Sequence, residues 1–262
     1  MSERSFDDAP GAVAAEDDWD RHWDEFSGAS AHNPAVAYRA RLMLKLIGAK
    51  RPPQRLLDIG VGSGDFLALA AEQWPRSELA GVDVSQAGVQ IAARRVPHAA
   101  LSVADLTAAS QTPAGLENWA THAVCSEVLE HVDEPVVLLR RAAAMMGPGC
   151  LVVITVPGGE MSAFDHHIGH RRHFSPQLLR TQLEQAGLEQ IETLQAGFPF
   201  FNLYRAVVRL RGERLIEDVG AGDTEPSRAA VAAMATFGAL FRLNLTRSRW
   251  GLQMVALARR PA

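Results

Sequence analysis

Hydrophobic positions along this chain repeat with two periods, and the alternation between them predicts the architecture. Trp19, Trp23 and Phe26 recur at i, i+4 and i+7, one face of a short helix with acids and His22 opposite. Asn33 and Pro34 open a second helix in which Ala35, Tyr38, Leu42 and Leu46 share a face, with Gly48 as its stop. From Arg51 onward short apolar runs alternate with helical segments. Leu56 to Ile59, Leu79 to Val84, Ala100 to Ala104, Ala120 to Cys125 and Cys150 to Val156 read as strands; Phe66 to Trp74, Gln86 to Arg95 and Pro135 to Met146 read as helices. A helix over Pro176 to Ala186, capped by Ser175 and closed by Gly187, leads to a strand at Leu188 to Leu194, and Trp250 to Arg259 alternates as a closing strand. This order predicts an α/β, doubly wound, parallel sheet with helices on both faces and ligands at the carboxyl ends of its strands.

The same pattern divides the chain. Residues 1–18 read as a flexible tail, 19–50 as N-terminal cap helices, 51–197 as the core, 198–247 as a helical cap insertion and 248–262 as the closing strand. With 47% hydrophobic residues the chain can fill a sizeable core. A net charge of -4 argues against a surface built for nucleic acid and favours a small-molecule or protein substrate. Cys125 and Cys150 lie in apolar strand runs, which speaks against a disulfide framework and for a cytoplasmic protein. The N-terminal stretch lacks the basic and apolar regions of a secretory signal, and no run of about 18 apolar residues predicts a transmembrane segment.

Candidate chemistry begins at Leu56 to Phe66, LLDIGVGSGDF. Gly60, Gly62 and Gly64 stand where a strand must turn sharply into a helix and let a ligand approach the backbone. The helix N-terminus suits a carboxylate or a phosphate equally. Asp65 stands where a dinucleotide-binding turn wants its third glycine, which disfavours a nicotinamide cofactor. Asp58, at the end of the strand, would repel a pyrophosphate but attract an ammonium group, so a cofactor of amino-acid type accounts for both acids.

LLDIGVGSGDF resembles the first motif of the class I S-adenosylmethionine-dependent methyltransferases, and the resemblance extends over about Trp19 to Ala196. It implies a Rossmann-like, mostly parallel seven-stranded sheet whose last strand is antiparallel, with S-adenosylmethionine as cofactor. In AGVDVS, Asp83 with the adjoining Val84 matches the station of the acid that binds both ribose hydroxyls. In SVADLT, Asp105 and Leu106 match the station beside the adenine. Ser126 and Glu127 in SEVLEH match the residues under the methionine moiety, and His131 a histidine near the methyl donor or in an ordinary helical turn. Tyr38 and Arg39 resemble residues that close over the cofactor; Arg39 either pairs with its carboxylate or is a surface arginine.

A methyl group on a sulfonium is already activated, so positioning supplies much of the catalysis, worth up to about 7 to 11 kcal/mol. A base is required only for a protonated acceptor, and no metal is required. His170, then His167, in Asp165 to His173, DHHIGHRRH, are the candidate bases, with Arg172 beside Arg171 for an anionic acceptor group. The stretch also resembles a GHxRxF pattern of bacterial members of the superfamily, matched by Gly169, His170, Arg172 and Phe174, in which these residues brace a loop. A third reading is metal binding by His166, His170 and His173, which share a face if the stretch is helical. Within the insertion, Phe200, Tyr204 and Arg205 are candidate acceptor-binding residues. Phe237, Leu240, Phe241 and Leu245 form an apolar stripe suited to a homodimer contact. No NPPY-like stretch follows the fourth strand. The function expected is methyl transfer to a small-molecule acceptor, a secondary metabolite or quinone-like compound, with oxygen favoured. The alternatives are a non-methylating reaction such as cyclisation, and a non-catalytic binding module.

Overall fold

Local signals act where they stand. Asn33 accepts a hydrogen bond from the Ala35 N–H at 2.9 Å and opens helix α1 (Pro34–Ile47); Ser85 caps α3 (Gln86–Arg95) through the Gly88 N–H in the same way. The computed structural model describes residues 19–20, 33–49, 51–108, 112–220 and 228–262; the expected tail 1–18 and most of the helix expected around Trp23 and Phe26 lie outside them. The strands are β1 (Arg55–Ile59), β2 (Glu78–Asp83), β3 (Ala100–Val103), β4 (Ala120–Ser126), β5 (Met146–Pro157), β6 (Glu189–Ala196) and β7 (Gln253–Arg259). The remaining helices are α2 (Asp65–Gln73), α4 (Pro135–Met145), α5 (Ala163–His167), α6 (Pro176–Gln185), α7 (Phe200–Gly220) and α8 (Arg228–Leu240).

The seven strands form one sheet in the order β3-β2-β1-β4-β5-β7-β6, in which β7 alone runs antiparallel to its neighbours. From β1 the chain winds outward to β2 and β3, then returns to β4 beside β1. The carboxyl ends of β1 and β4 therefore flank the topological switch point, where a doubly wound sheet opens a crevice. Successive strand residues point to opposite faces. Leu57, Cys125 and Ile154 pack with Leu139 of α4 and Leu179 of α6, whereas Leu56, Val124 and Val153 pack with Ile47 of α1 and Leu67 of α2. No described helix is long and apolar enough to cross a membrane.

Over the second face lies the cap. Tyr38 of α1, Phe201 and Tyr204 of α7 and Phe237 of α8 surround Phe241, whose ring centroid lies 5.5 to 6.0 Å from each of theirs. Of the residues expected in a homodimer stripe, Phe241 thus faces inward and Phe237 is half-buried against Tyr204 and Phe241. The cap is pinned to the sheet edge by the Phe198–Leu245 bridge and by Asn244, whose side-chain oxygen accepts from the Phe200 and Phe201 N–H groups. Since Phe241 is 2% exposed and joins α1, α7 and α8, Phe241→Ala is expected to lower stability by about 3 to 5 kcal/mol. The check is the urea midpoint, at an unchanged slope.

Candidate active site

Three glycines in the left-handed region make the turn after β1: Gly60 (φ 76°), Gly62 (φ 48°) and Gly64 (φ 76°). A side chain is excluded sterically as well, since a Cβ on Gly60 would lie 2.3 Å from Val128 and one on Gly64 2.9 Å from Ala92. The turn is locked to the end of β2 by Asp83, whose carboxylate accepts from the Gly62 N–H at 2.7 Å and the Ser85 N–H at 2.9 Å. Asp58 is buried behind the turn. Burial, and then the charge of Asp83, push its carboxyl well above the usual range. At Asp83 burial also wins over its hydrogen bonds and raises the carboxyl. Asp105, beyond β3, shows the opposite balance. Burial alone would raise it, but the Thr107 hydroxyl and the N–H groups of Thr107 and Ala108 outweigh that and hold it low.

Beyond β4 the chain makes a tight turn whose first residue, Glu127, is held at φ 55°, a conformation rare for a residue with a side chain. The strain aims its carboxylate across the carboxyl ends of the neighbouring strands. It accepts from the Thr155 hydroxyl at 3.2 Å and the Gln253 amide at 2.9 Å, and Arg39 of α1 stands 3.6 Å away. Ser126 pairs with the same Thr155 hydroxyl at 2.8 Å. Three residues on, Glu130 is fully buried, and among the described residues no group donates to either of its oxygens. Burial and the neighbouring charge of Glu127 push it well above the usual carboxylate range, with Arg39 and Arg205 pulling the other way.

Facing this turn is the loop after β5. Ser162 and Asp165 form a reciprocal capping box that starts α5, and Gly169 (φ 84°) ends it. The Arg171 N–H then donates to the Glu130 carbonyl at 2.8 Å, stitching the two turns together. The result is a nest of imidazoles: His131 and His170 meet edge to face at 4.7 Å between centroids, and His170 and His173 at 5.3 Å. Burial, then His131, push His170 down to about 3 despite the pull of Asp165. At Asp165 burial would raise the carboxyl, but the Arg205 guanidinium, bonded at 3.0 Å through two nitrogens, and Ser162 bring it to about 2.

The structure brings Asp58, the three glycines, Asp83, Asp105, Ser126, Glu127, Arg39 and His170 to one end of the sheet, with Val84 exposed and Leu106 buried beside their acids. It leaves His167 exposed. His166 and His167 are exposed on α5, and the expected helical face of His166, His170 and His173 is broken by Gly169. Arg172 donates to the Asp133 carbonyl at 2.9 Å, Arg171 pairs with the Asp133 carboxylate, and Phe174 is buried in the core, so Gly169, Arg172 and Phe174 brace the loop. Arg205 is engaged by Asp165, Tyr204 stands in the aromatic cluster with its hydroxyl 3.3 Å from Asn33, and Phe200 is half-buried beside it. Glu130, Thr155 and Gln253 escaped the sequence reading. Glu130 adjoins His131 at a strand's carboxyl end, a signal that was available; Gln253, two hundred residues from the first motif, carried none. A cavity of about 700 Å³ lined by Pro53, Gln54, Trp74 and Arg76 opens at the other end of β1 and β2, away from all these groups.

A glycine turn at a switch point, with acids at the ends of β1, β2 and β3, defines a nucleoside-cofactor domain of the class I methyltransferase type. The family described as Methyltransferase domain matches residues 31–193, more than half the chain, and the chain belongs to it. Trans-aconitate 2-methyltransferase of Methylobacterium radiotolerans is 31% identical over 124 residues, 47% of this chain and 44% of that protein. The matched region thus spans less than half the length of such curated relatives. Among solved structures, phosphoethanolamine N-methyltransferase 2 of Haemonchus contortus with S-adenosyl-L-methionine superposes with a TM-score of 0.63 at 21% identity, over 96% of this chain and 61% of that one. The N-methyltransferase NodS of Bradyrhizobium japonicum with S-adenosyl-L-homocysteine gives 0.58 at 16%, over 94% and 100%. Both share the fold.

Asp58 provides a test of the cradle. Its carboxyl is raised in the ligand-free fold, so its ionisation opposes folding once the pH exceeds the ordinary carboxylate value of about 3.9, and not below it. Asp58→Asn is therefore expected to stabilise the ligand-free protein at pH 7.5 by roughly 1 to 3 kcal/mol, a gain that shrinks towards pH 4. The same change should weaken S-adenosylmethionine binding by about tenfold to a hundredfold. Denaturant melts and calorimetric titration check the two halves.

Proposed function

We propose that this chain transfers the methyl group of S-adenosylmethionine to an oxygen of a small-molecule acceptor, a hydroxylated secondary metabolite or quinone-like compound. Asp58, beside the glycine turn, suits the cationic methionine end, Asp83 the ribose hydroxyls and Asp105 the adenine side, which directs the sulfonium towards Ser126 and Glu127. The observation that carries the acceptor reading is the nest of His131, His170 and His173 beside that point. An acceptor ionised at neutral pH, as a carboxylic acid is, needs no group to strip a proton; a hydroxyl does. The acceptor proton is lost within this nest, and the loss depends on His170. Its ring is held by its neighbours, so the nest fixes the orientation of the group on which that loss depends.

Incubation with methyl-labelled cofactor and a panel of hydroxylated and carboxylic acceptors tests the reading. Label should appear on hydroxyl oxygens, and His170→Asn should lower kcat by about 10² to 10⁴ while the calorimetric Kd for the cofactor stays within about twofold. Acceptor turnover without label transfer would sink methylation in favour of a rearrangement such as cyclisation. Full activity in His170→Asn would sink the role given to the nest.

A further inference from the structure

Glu130 poses a physical problem that the methyl-transfer reading leaves open. A carboxyl group with no exposure and no donor to either oxygen among the described residues is costly whether ionised or not. It is not apolar filler, because two imidazoles lie against it. One ligand atom each from Glu130, His131 and His170 fall within 4.8 Å of one another. Ligand atoms about 2.1 Å from a common ion stand about 3 to 4 Å apart, so small side-chain movements would close the set.

The imidazoles are prepared for such a role. The Gly159 carbonyl lies 3.1 Å from Nδ1 of His173, and Nε2 of His173 lies 3.1 Å from Nδ1 of His170. This chain assigns a proton to each Nδ1, the one on His173 donated to the carbonyl and the one on His170 donated to His173, and it leaves Nε2 of His170 with its lone pair. A histidine whose far nitrogen is fixed by a carbonyl or another polar group is the usual support of a metal ligand. Asp165, His170 and His173 also lie within 4.8 Å of one another, but the Asp165 carboxylate already accepts from Ser162 and, twice, from Arg205, so it braces the nest and is not a ligand.

We propose that Glu130, His131 and His170 hold a divalent transition-metal ion, zinc or one of the first-row ions that accept two imidazoles and a carboxylate, with open positions for an acceptor oxygen. Two nitrogens and one carboxylate leave such an ion coordinatively unsaturated, and its charge offsets that of Glu130 in a medium where water cannot. The inference rests on the methyl-transfer reading for its purpose. A hydroxyl bound to the ion has its pKa lowered and releases its proton to solvent, and the oxygen then attacks the methyl carbon as the carbon–sulfur bond breaks. His170 acts here as ligand, and His173 is a positioning residue.

Cobalt(II) is the probe, since its visible d–d absorption reports a protein site directly. Chelator-treated full-length protein, titrated with Co²⁺ alone, should develop the bands to one equivalent, and its thermal midpoint should rise with Co²⁺ concentration. Glu130→Gln and His131→Ala should abolish the bands. His173→Ala should keep their shape but weaken Co²⁺ binding by about tenfold to a hundredfold. His98→Ala, an exposed histidine elsewhere, should change nothing. Glu130→Gln removes a buried charge without changing shape, so circular dichroism and its own melt verify that the variant folds. Absence of bands in the wild type, or their survival in Glu130→Gln and His131→Ala, overturns the proposal. Label transfer by chelated enzyme that binds no Co²⁺ overturns the metal and leaves methyl transfer standing. Bands that depend on these residues in a protein that labels no acceptor uphold the metal and remove the reaction.

Discussion

Four donors converge on the Asp165 carboxylate: the Ser162 N–H and hydroxyl at 2.7 Å, and two nitrogens of Arg205 at 3.0 Å. Arg205 lies on α7, Ser162 on the loop after β5, and the Asp165 carbonyl itself accepts the His170 N–H at 2.9 Å. One buried group thus fixes the cap against the loop and turns His170 inward. A buried ion pair persists only if its remaining hydrogen-bonding capacity is met, and here every oxygen of the carboxylate is used. Without Arg205 the Asp165 charge would be buried and underpaired, so cap placement and nest geometry are not independent properties of this fold.

A second constraint is the sign of charge at the carboxyl ends of the strands. Asp58, Asp83, Glu127 and Glu130 crowd one crevice, and burial raises Asp58, Asp83 and Glu130. Of the arginines within reach, Arg39 stands 3.6 Å from Glu127, and Arg205 is engaged by Asp165. Such an arrangement opposes folding in proportion to the acids that stay ionised, and it favours whatever brings positive charge into the crevice. A sulfonium with an ammonium group would do so at the β1 side, and a metal ion would do so at the β4 and β5 side. The left-handed backbone of Glu127 belongs to the same account: strain at one residue, held by Thr155 and Gln253, aims a carboxylate between the two.

Where a feature depends on neighbours in sequence, the sequence reveals it. The caps at Asn33, Ser85 and Ser175 are side chain to backbone contacts spanning two or three residues, and the helices they open begin where the pattern predicts. The glycine turn and the acids at 58, 83 and 105 recur at strand ends, so they too are visible along the chain. β5 begins at Met146, four residues before the apolar run, because Met146 pairs with Ala120 across an irregular register that no local pattern encodes. The nest was half legible. Histidines at 166, 170 and 173 suggested a helical face, but Gly169 turns the chain, and the contacts that draw His170 to His131 span 39 residues. Arg172 and Arg205 read as anion binders because a guanidinium looks alike in sequence whether its partner is a ligand, the Asp133 carbonyl or Asp165.

The place of the cap follows from topology more than from any of its own residues. β6 ends at Ala196 and β7 starts at Gln253, and the two pair directly with each other. Gln253 also pairs with Pro157, the last residue of β5, so the segment between β6 and β7 must leave and re-enter the sheet at the carboxyl end. The single antiparallel strand therefore does two things. It delivers Gln253 to Glu127 at the crevice, and it forces about fifty inserted residues to fold over the same crevice. Had β7 run parallel, its first residue would lie at the opposite end of the sheet, and the insertion would have had to cross a face before α7 could present Arg205 to Asp165. The insertion, between β6 and β7, and the glycine turn with the acids of β1 to β3 thus stand on opposite sides of the switch point, so either can vary without the other.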